Sequence, residues 1–204
     1  MGEFLSESAM IDSMSGEQSE SVRVLSNPEL SCPPEILKLQ VLLTVLHYGF
    51  DGQRHSGIIE VHKALADDVD AFFKFASDSN FPIEHVVQAG DPAYLWNDDK
   101  LMAANASSGF NYRLIAGTTN TSLHGQGLAF DINPRQNPYM RYSESKVIVA
   151  PEGASWNPDV PGTLSAKHPL VRFMLERGWE WGGSWNQDSG RVDYQHLQKQ
   201  IESV

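Results

Sequence analysis

The order of strand-like and helix-like segments most constrains the fold of this chain. Residues 41–50 are rich in β-branched and aromatic side chains and lead into a turn at Asp51-Gly52, which predicts a strand followed by a turn. Residues 56–62 predict a second strand, and residues 63–80 carry apolar side chains at helical spacing, which predicts an amphipathic helix. Because strands and helices do not alternate regularly, the pattern favours an α+β fold over a doubly wound sheet.

The later segments continue this mixed pattern. They predict a short strand at 84–89, a polar loop at 90–121 and a strand at 127–133. A loop with one short strand is predicted at 134–165, followed by a helix at 167–179 that Gly178 ends. Residues 179–198 predict a strand, a loop and a second strand. Long loops on a rigid scaffold often hold binding residues, so residues 90–121 are a candidate for part of a site.

The length of 204 residues fits one domain with a tail. Residues 1–30 are rich in Ser, Glu and Met, and Pro28 and Pro33-Pro34 mark a change of composition. We therefore expect a flexible N-terminal tail or a vector-derived remnant at residues 1–30 and a single folded domain at residues 31–204.

Charge and hydropathy exclude several classes of protein. The net charge is -11 and the chain has no run rich in Lys or Arg, so we expect no nucleic-acid partner. The most apolar segment, residues 37–50, contains Lys38, Gln40 and His47 and is shorter than the roughly 20 apolar residues that span a bilayer. The N-terminal residues are acidic and show no secretory signal.

Two short segments carry the residues that suggest chemistry. Residues 122–131 contain His124 and Asp131, and residues 193–196 contain Asp193 and His196. Zinc binds neutral imidazole and carboxylate, and a catalytic zinc has three protein ligands and an open position. His124, Asp131 and His196 would make such a set and leave Asp193 as a general base. The single cysteine, Cys32, excludes a zinc site built from several thiolates.

The spacing within each segment predicts local geometry. Gly125 and Gly127 allow a tight turn that would bring His124 and Asp131 to one metal ion. Asp193 and His196 are three residues apart, so they face the same way only in a turn or bulge, which we predict at residues 193–196.

Other candidate residues have ordinary explanations when they are considered alone. Arg113 by itself is more consistent with a surface ion pair than with a site. Of the three tryptophans that flank the second segment, at least two are expected to pack in the core. The remaining histidines lack partners nearby in sequence and are expected to be ordinary surface or core residues: His47, His55, His62, His85 and His168.

The two segments together resemble a known family. Ser122, His124, Gly127, Ala129 and Asp131 match the SxHxxGxAxD signature of the VanY-type D-alanyl-D-alanine peptidases, which are M15 metallopeptidases. Asp193 and His196 match the family's second signature, (E/D)xxH. The resemblance covers residues 45–198 and extends to several other short motifs: 81–83, 102–105, 109–113, 131–139 and 181–185.

The resemblance implies a fold and a role for each residue. The expected fold is a small antiparallel sheet flanked by helices, like that of Hedgehog and the D,D-peptidases, with one zinc ion per chain. His124, Asp131 and His196 would bind the zinc, and Asp193 would carry the proton from the attacking water to the leaving amine. Arg113 would bind the substrate's carbonyl or carboxylate and stabilise the oxyanion, and Ser122 would contact substrate.

We therefore expect a zinc metallopeptidase that cuts peptidoglycan stem peptides next to D-amino acids, as a D,D- or L,D-carboxypeptidase or endopeptidase. Its place of action would be the periplasm or cell wall, by an export route that the sequence does not identify. One alternative is a non-catalytic, zinc-containing module of the same fold that binds cell wall or protein. The other is a zinc-free interaction domain. Oligomeric state is not readable from the sequence.

Overall fold

The computed structural model of the protein describes residues 25–115, 118–185 and 190–201. Most of the predicted tail, residues 1–24, lies outside this range. The helices are α1 Pro34–Leu37, α2 Ala66–Asp78, α3 Asp98–Ala103 and α4 Pro169–Leu175. The strands are β1 Gln40–Tyr48, β2 Arg54–His62, β3 His85–Val86, β4 Ala106–Ser107, β5 Ala129–Asp131, β6 Tyr139–Tyr142, β7 Val147–Ala150, β8 Glu180–Trp181, β9 Arg191–Asp193 and β10 His196–Gln198.

The first two strands and the helix after them confirm the predicted order. β1 and β2 form an antiparallel hairpin in which Gln40 lies opposite His62 and Tyr48 lies opposite Arg54. α2 packs across β1. Two acidic residues, Asp67 and Asp68, occupy the first turn of α2, where they interact favourably with the helix dipole.

The core lies between α2, α4 and the strands. The buried side chains of α2 are spaced three and four residues apart, as expected for one helical face: Val69, Phe72, Phe73 and Ala76. Phe72 meets Phe130 of β5 edge to face, with ring centroids 5.2 Å apart. Phe130 in turn meets Trp179 at 5.3 Å. The helix is thereby packed against the strand that ends at Asp131.

Two small sheets follow in the second half of the chain. The inner sheet has the strand order β5-β10-β8, and the outer sheet has the order β7-β6-β9. All strand pairs within both sheets are antiparallel. The central residues of the inner sheet, Phe130 and Leu197, are fully buried, whereas β7 of the outer sheet is half-buried to exposed.

The predicted sheet arrangement was too simple. Instead of one small antiparallel sheet, the described residues form four small sheets, and one of them, β3-β4, is parallel. The predicted loop at residues 90–121 contains α3 and β4. Asn97 caps the start of α3 by accepting a hydrogen bond from Lys100 N–H at 2.9 Å. Asparagine is a preferred N-cap residue, so the sequence carried a local signal for this helix.

The prediction of only one short strand at residues 134–165 is also wrong, because this region contains two strands, β6 and β7, that pair as a hairpin. α4 confirms the predicted second helix. It begins with Pro169 after a His168 cap, and Gly178 follows it with φ +79°. Among the described helices, none is long and apolar enough to cross a membrane.

Candidate metal centre

His124 is placed by a tight turn, as predicted. It begins a short 3₁₀ helix, His124–Gln126, which ends at Gly127 with φ +71°. A Cβ on Gly127 would collide with the side chain of Gln40 and would lie 2.7 Å from His62 N. Glycine is required there both for the left-handed backbone and for the close approach of the β1-β2 hairpin.

Asp131 and His196 are placed by the register of the inner sheet. They lie directly opposite each other on β5 and β10. Directly paired residues on antiparallel strands have their side chains on the same face, so one ion can reach both. On its other side Asp131 pairs with Ser108, whose carbonyl accepts Asp131 N–H at 2.9 Å.

The three predicted ligands converge on one point. His124 Nε2 is 3.1 Å from His196 Nδ1 and 3.3 Å from Asp131 Oδ1, and His196 Nδ1 is 3.2 Å from the same carboxylate oxygen. Ligand atoms bound tetrahedrally to zinc at about 2.0–2.1 Å lie about 3.3–3.4 Å apart. The triangle therefore has the size that zinc needs. Among the described residues, His124, Asp131 and His196 form the group of His, Cys, Asp or Glu side chains whose donor atoms lie close enough together to hold one metal ion.

Hydrogen bonds from the far side of each imidazole orient it for metal binding. His124 Nδ1 is 2.8 Å from Gly109 O, and His196 Nε2 is 2.9 Å from Gln198 Oε1. Both partners are acceptors, so in each ring the nitrogen that faces them carries the hydrogen. The opposite nitrogens, His124 Nε2 and His196 Nδ1, are then the unprotonated atoms that a metal binds.

The electrostatics of the cluster favour a positive charge among its donors. Burial opposes ionisation of Asp131, but His124 and His196 outweigh it and hold the pKa of this carboxyl well below its ordinary value. Burial would lower the pKa of His196, but the hydrogen bond and charge of Asp131, with the charge of Asp193, raise it. A metal ion supplies that positive charge while both imidazoles stay neutral.

Asp193 lies beside the ligands because of the predicted turn. β9 ends at Asp193, residues 194 and 195 form a bend, and β10 begins at His196. Burial raises the pKa of Asp193 to about 6; the charge of Asp131 adds to the rise, while His196 and His124 oppose it. Its Oδ1 is enclosed and has no hydrogen-bond partner among the described residues. An enclosed carboxylate oxygen of raised pKa suits proton transfer near neutral pH.

Gly182 allows this bend to form. A Cβ on Gly182 would lie 2.5 Å from Asp193 O, 3.0 Å from Asp193 Cβ and 3.2 Å from His196 Cβ. Any larger residue would push the Asp193 and His196 backbones away. The sequence showed Gly182 only as part of the family resemblance.

Arg113 and Ser122 lie in the same cavity as the three ligands and Asp193. Their backbones are joined, since Ser122 N–H donates to Arg113 O at 3.0 Å. Arg113 Nε is 2.6 Å from Asp98 Oδ2, which forms an ion pair that directs the guanidinium. Asn111 Nδ2 donates to the other oxygen of Asp98 at 2.7 Å. The structure brings all six predicted site residues to one cavity.

The cavity has a volume of about 1140 Å³, which is above the usual range of about 300–1,000 Å³ for small-molecule sites. Trp185 lines it, with its ring 5.4 Å from that of His196. Trp179 and Trp181 are buried in the core, which confirms the prediction that at least two of the three would pack there. Tyr194 stacks on Trp156 at 4.5 Å.

The other histidines have ordinary roles, as predicted. His47 is buried and lies 3.0 Å from Ile83 O, His62 accepts from Ala64 N–H, and His168 accepts from Leu170 N–H. His55 and His85 are exposed.

Sequence reasoning assigned no role to the residues that support the site, namely Gly109, Gln198 and Asp98. Gln198 was detectable in principle, because it is two residues from His196 and shares its strand face. Gly109 appeared in the sequence only as part of the family resemblance, and Asp98 depends on α3, whose N-cap Asn97 was not predicted. Both residues act through contacts between distant segments.

A model of the M15 peptidase family described as D-alanyl-D-alanine carboxypeptidase matches residues 116–199. The matched range contains His124, Asp131, Asp193 and His196, and Arg113 lies just before it. This match supports a peptidase. No curated protein and no solved structure matches the chain.

Proposed function

We propose that the protein is a zinc-dependent peptidase that hydrolyses bonds next to D-amino acids in peptidoglycan stem peptides. The observation that carries the proposal is the triangle of donor atoms 3.1–3.3 Å apart, in which the outer nitrogen of each imidazole faces an acceptor. The family match over residues 116–199 supports peptide hydrolysis and a cell-wall peptide as substrate.

Zinc is the metal that this donor set suits, and His124, Asp131 and His196 would hold one ion per chain. An ion in that position supplies Lewis acidity, which lowers the pKa of water toward 7 and polarises a carbonyl. The hydrogen bonds to Gly109 O and Gln198 Oε1 fix the tautomer and the orientation of the two imidazoles.

The remaining residues act on the substrate and on protons. The Asp193 carboxylate takes a proton from the attacking water and later gives it to the leaving amine as the C–N bond breaks. Arg113 binds the substrate's carbonyl or carboxylate and stabilises the negative charge that develops there. Asp98 keeps the Arg113 guanidinium in place, and Ser122 contacts the substrate.

The large cavity is consistent with an extended peptide, and we propose both carboxypeptidase and endopeptidase action as candidates for the bond that is cut. Peptidoglycan lies outside the cytoplasmic membrane, so the proposed place of action is the periplasm or cell wall. The expected Hedgehog-like fold stays a prediction.

The proposal is tested by mass spectrometry of purified peptidoglycan fragments incubated with the zinc-loaded protein. The incubation is run with and without chelator and beside the variant Asp193→Ala, and the zinc content of every sample is measured. We expect a chelator-sensitive loss of mass that names the bond cut. Asp193→Ala is expected to retain zinc and to lose turnover by about 10²- to 10⁴-fold, as for other general bases.

If neither linear nor cross-linked stems are cleaved while zinc is bound at one ion per chain, a zinc-containing binding module of the same fold would replace the peptidase. A sample that binds no zinc under any loading condition would overturn the metal site as well. Full activity of Asp193→Ala would show that another group transfers the proton.

A further inference from the structure

One face of the outer sheet forms part of the wall of the cavity. In the antiparallel register, Asp193, Tyr139 and Ala150 form one row across its three strands. Two residues further along each strand, Arg191, Arg141 and Ile148 form the next row. Residues two apart on a strand share a face, so both rows face the same way. All six side chains line the cavity that contains the metal ligands.

The second row places two like charges side by side. Arg141 and Arg191 are directly opposite on adjacent strands, a position in which side chains start about 4.5–5.5 Å apart and equal charges repel. Within the described residues Arg141 forms no ion pair with an acidic side chain. Arg191, which has further contacts of its own, holds its guanidinium 5.0 Å from the ring of Trp185. Two guanidinium groups side by side on one wall can both donate hydrogen bonds to a single carboxylate.

Trp185 connects this pair to the metal centre. Its ring lies 5.4 Å from that of His196 on one side and 5.0 Å from the Arg191 guanidinium on the other. The aromatic face helps to hold the arginine in one direction, which suits a planar carboxylate. The arginine row and the metal ligands therefore border one continuous surface.

We propose that Arg141 and Arg191 form an anion subsite that binds a carboxylate of the substrate, so that the preferred substrates are acidic peptides. The inference rests on the proposed peptidase function and adds a substrate class to it. The two rows are about 6.6–6.8 Å apart along the strands, which matches two residues of an extended peptide. The carboxylate is therefore about two residues from the bond that is cut.

This subsite is distinct from the one that contains Arg113. Arg113 lies on a different segment of the chain and is directed by its ion pair with Asp98, whereas Arg141 and Arg191 project from the outer sheet next to Asp193. A substrate that uses both sites carries a carboxylate in addition to the group that Arg113 binds.

The test uses two synthetic stem peptides that differ in one group, a carboxylate or a carboxamide two residues from the bond identified by mass spectrometry. The ratio of kcat/KM for the two peptides is measured with the zinc-loaded wild type, Arg141→Gln, Arg191→Gln and Arg141→Lys. Arg172→Gln, on the exposed side of α4, controls for the loss of one positive charge. Zinc content and melting temperature show that each variant is folded and loaded.

The wild type is expected to prefer the carboxylate peptide by about tenfold to a hundredfold, as for a charge-assisted hydrogen bond. This ratio should fall toward one in both glutamine variants, fall partly in Arg141→Lys and stay at the wild-type value in Arg172→Gln. It should also decrease with salt, because the arginines are exposed.

Equal cleavage of both peptides by the wild type would overturn the subsite and leave the peptidase intact. A preference that survives in both glutamine variants would also overturn it. Failure of the zinc-loaded wild type to cleave either peptide, or the fragments from which the bond was to be identified, would instead overturn the peptidase function and the subsite with it.

Discussion

The inner and outer sheets contribute to one site but differ in burial. Phe130 and Leu197, next to the proposed ligands Asp131 and His196, are fully buried in the inner sheet. The outer sheet carries Asp193 on the same strand as the exposed Arg191. A metal ion needs its ligands fixed within a few tenths of an ångström, and close packing provides that. The proposed peptide substrate must enter and leave, and the proposed anion subsite of Arg141 and Arg191 lies on the more open sheet.

The largest expected effect comes from removing a ligand. In His124→Ala the zinc content should fall from one ion per chain to near zero and activity should be lost with it, because two donors remain from a set of three. Metal analysis of the purified protein and peptide cleavage measure the two properties. In Asp193→Ala, by contrast, activity alone is expected to fall.

His168→Asn is the matched control for this change. It also removes an imidazole, but asparagine can keep the cap that His168 provides to Leu170 N–H at the start of α4. Zinc content and activity should stay at the wild-type values. Retention of zinc by His124→Ala would mean that the metal is held by other residues and would remove the basis for comparing the two sheets.

A smaller effect is expected from a residue that supports a ligand. Gln198→Leu removes the acceptor of the His196 Nε2–H hydrogen bond, so zinc affinity should decrease about 10- to 100-fold. Competition with a chromophoric chelator measures this affinity. Gln200→Leu removes the same kind of side chain from an exposed position and should have no effect on it. Equal affinities for Gln198→Leu and wild type would show that packing alone orients His196.

The smallest expected effect is on the stability of the fold and comes from Glu60. Among the described residues, this buried carboxyl has no imidazoles beside it like those beside Asp131. Glu60 accepts hydrogen bonds from Gln88 and Leu25 N–H, and burial raises its pKa from 4.5 to about 7. The folded state therefore holds the proton more tightly than the unfolded state. The stability that this adds is present below pH 4.5 and is lost as the pH rises through about 7.

Glu60→Gln should therefore unfold with a free energy about 1–3 kcal/mol above that of wild type at pH 8, and this difference should shrink toward pH 4.5. Denaturant unfolding of both proteins at a series of pH values measures the difference, in which shared contributions such as metal binding cancel. The exposed Glu176→Gln is the control for charge. A difference that does not change with pH would show that folding does not raise the pKa of Glu60.

The sequence was sufficient to predict the features that depend on neighbouring residues. The turn at His124 follows from Gly125 and Gly127, and the bend between Asp193 and His196 follows from their spacing of three. The β1-β2 hairpin and α2 follow from apolar periodicity. These patterns involve residues only a few positions apart, and at that separation the sequence specifies the local geometry directly.

Features that depend on register could not be predicted. The pairing of His196 with Asp131 depends on how β10 aligns with β5, 65 residues away in sequence. The pairing of Arg141 with Arg191 depends on the alignment of β6 with β9. The ion pair between Asp98 and Arg113 depends on α3, whose N-cap Asn97 was the missed local signal.

The two-residue bend between β9 and β10 also has an evolutionary consequence. Because Asp193 and His196 are joined by so short a segment, and Gly182 packs against both, a mutation that displaces one displaces the other. The proposed proton transfer and metal binding would thus be inherited as one unit. The β6-β7 hairpin, which carries Arg141 and Ile148, is not joined to the proposed ligands by so short a segment. If the proposed function holds, descendants of this chain can exchange the side chains of this hairpin and acquire new substrates while the chemical step is preserved.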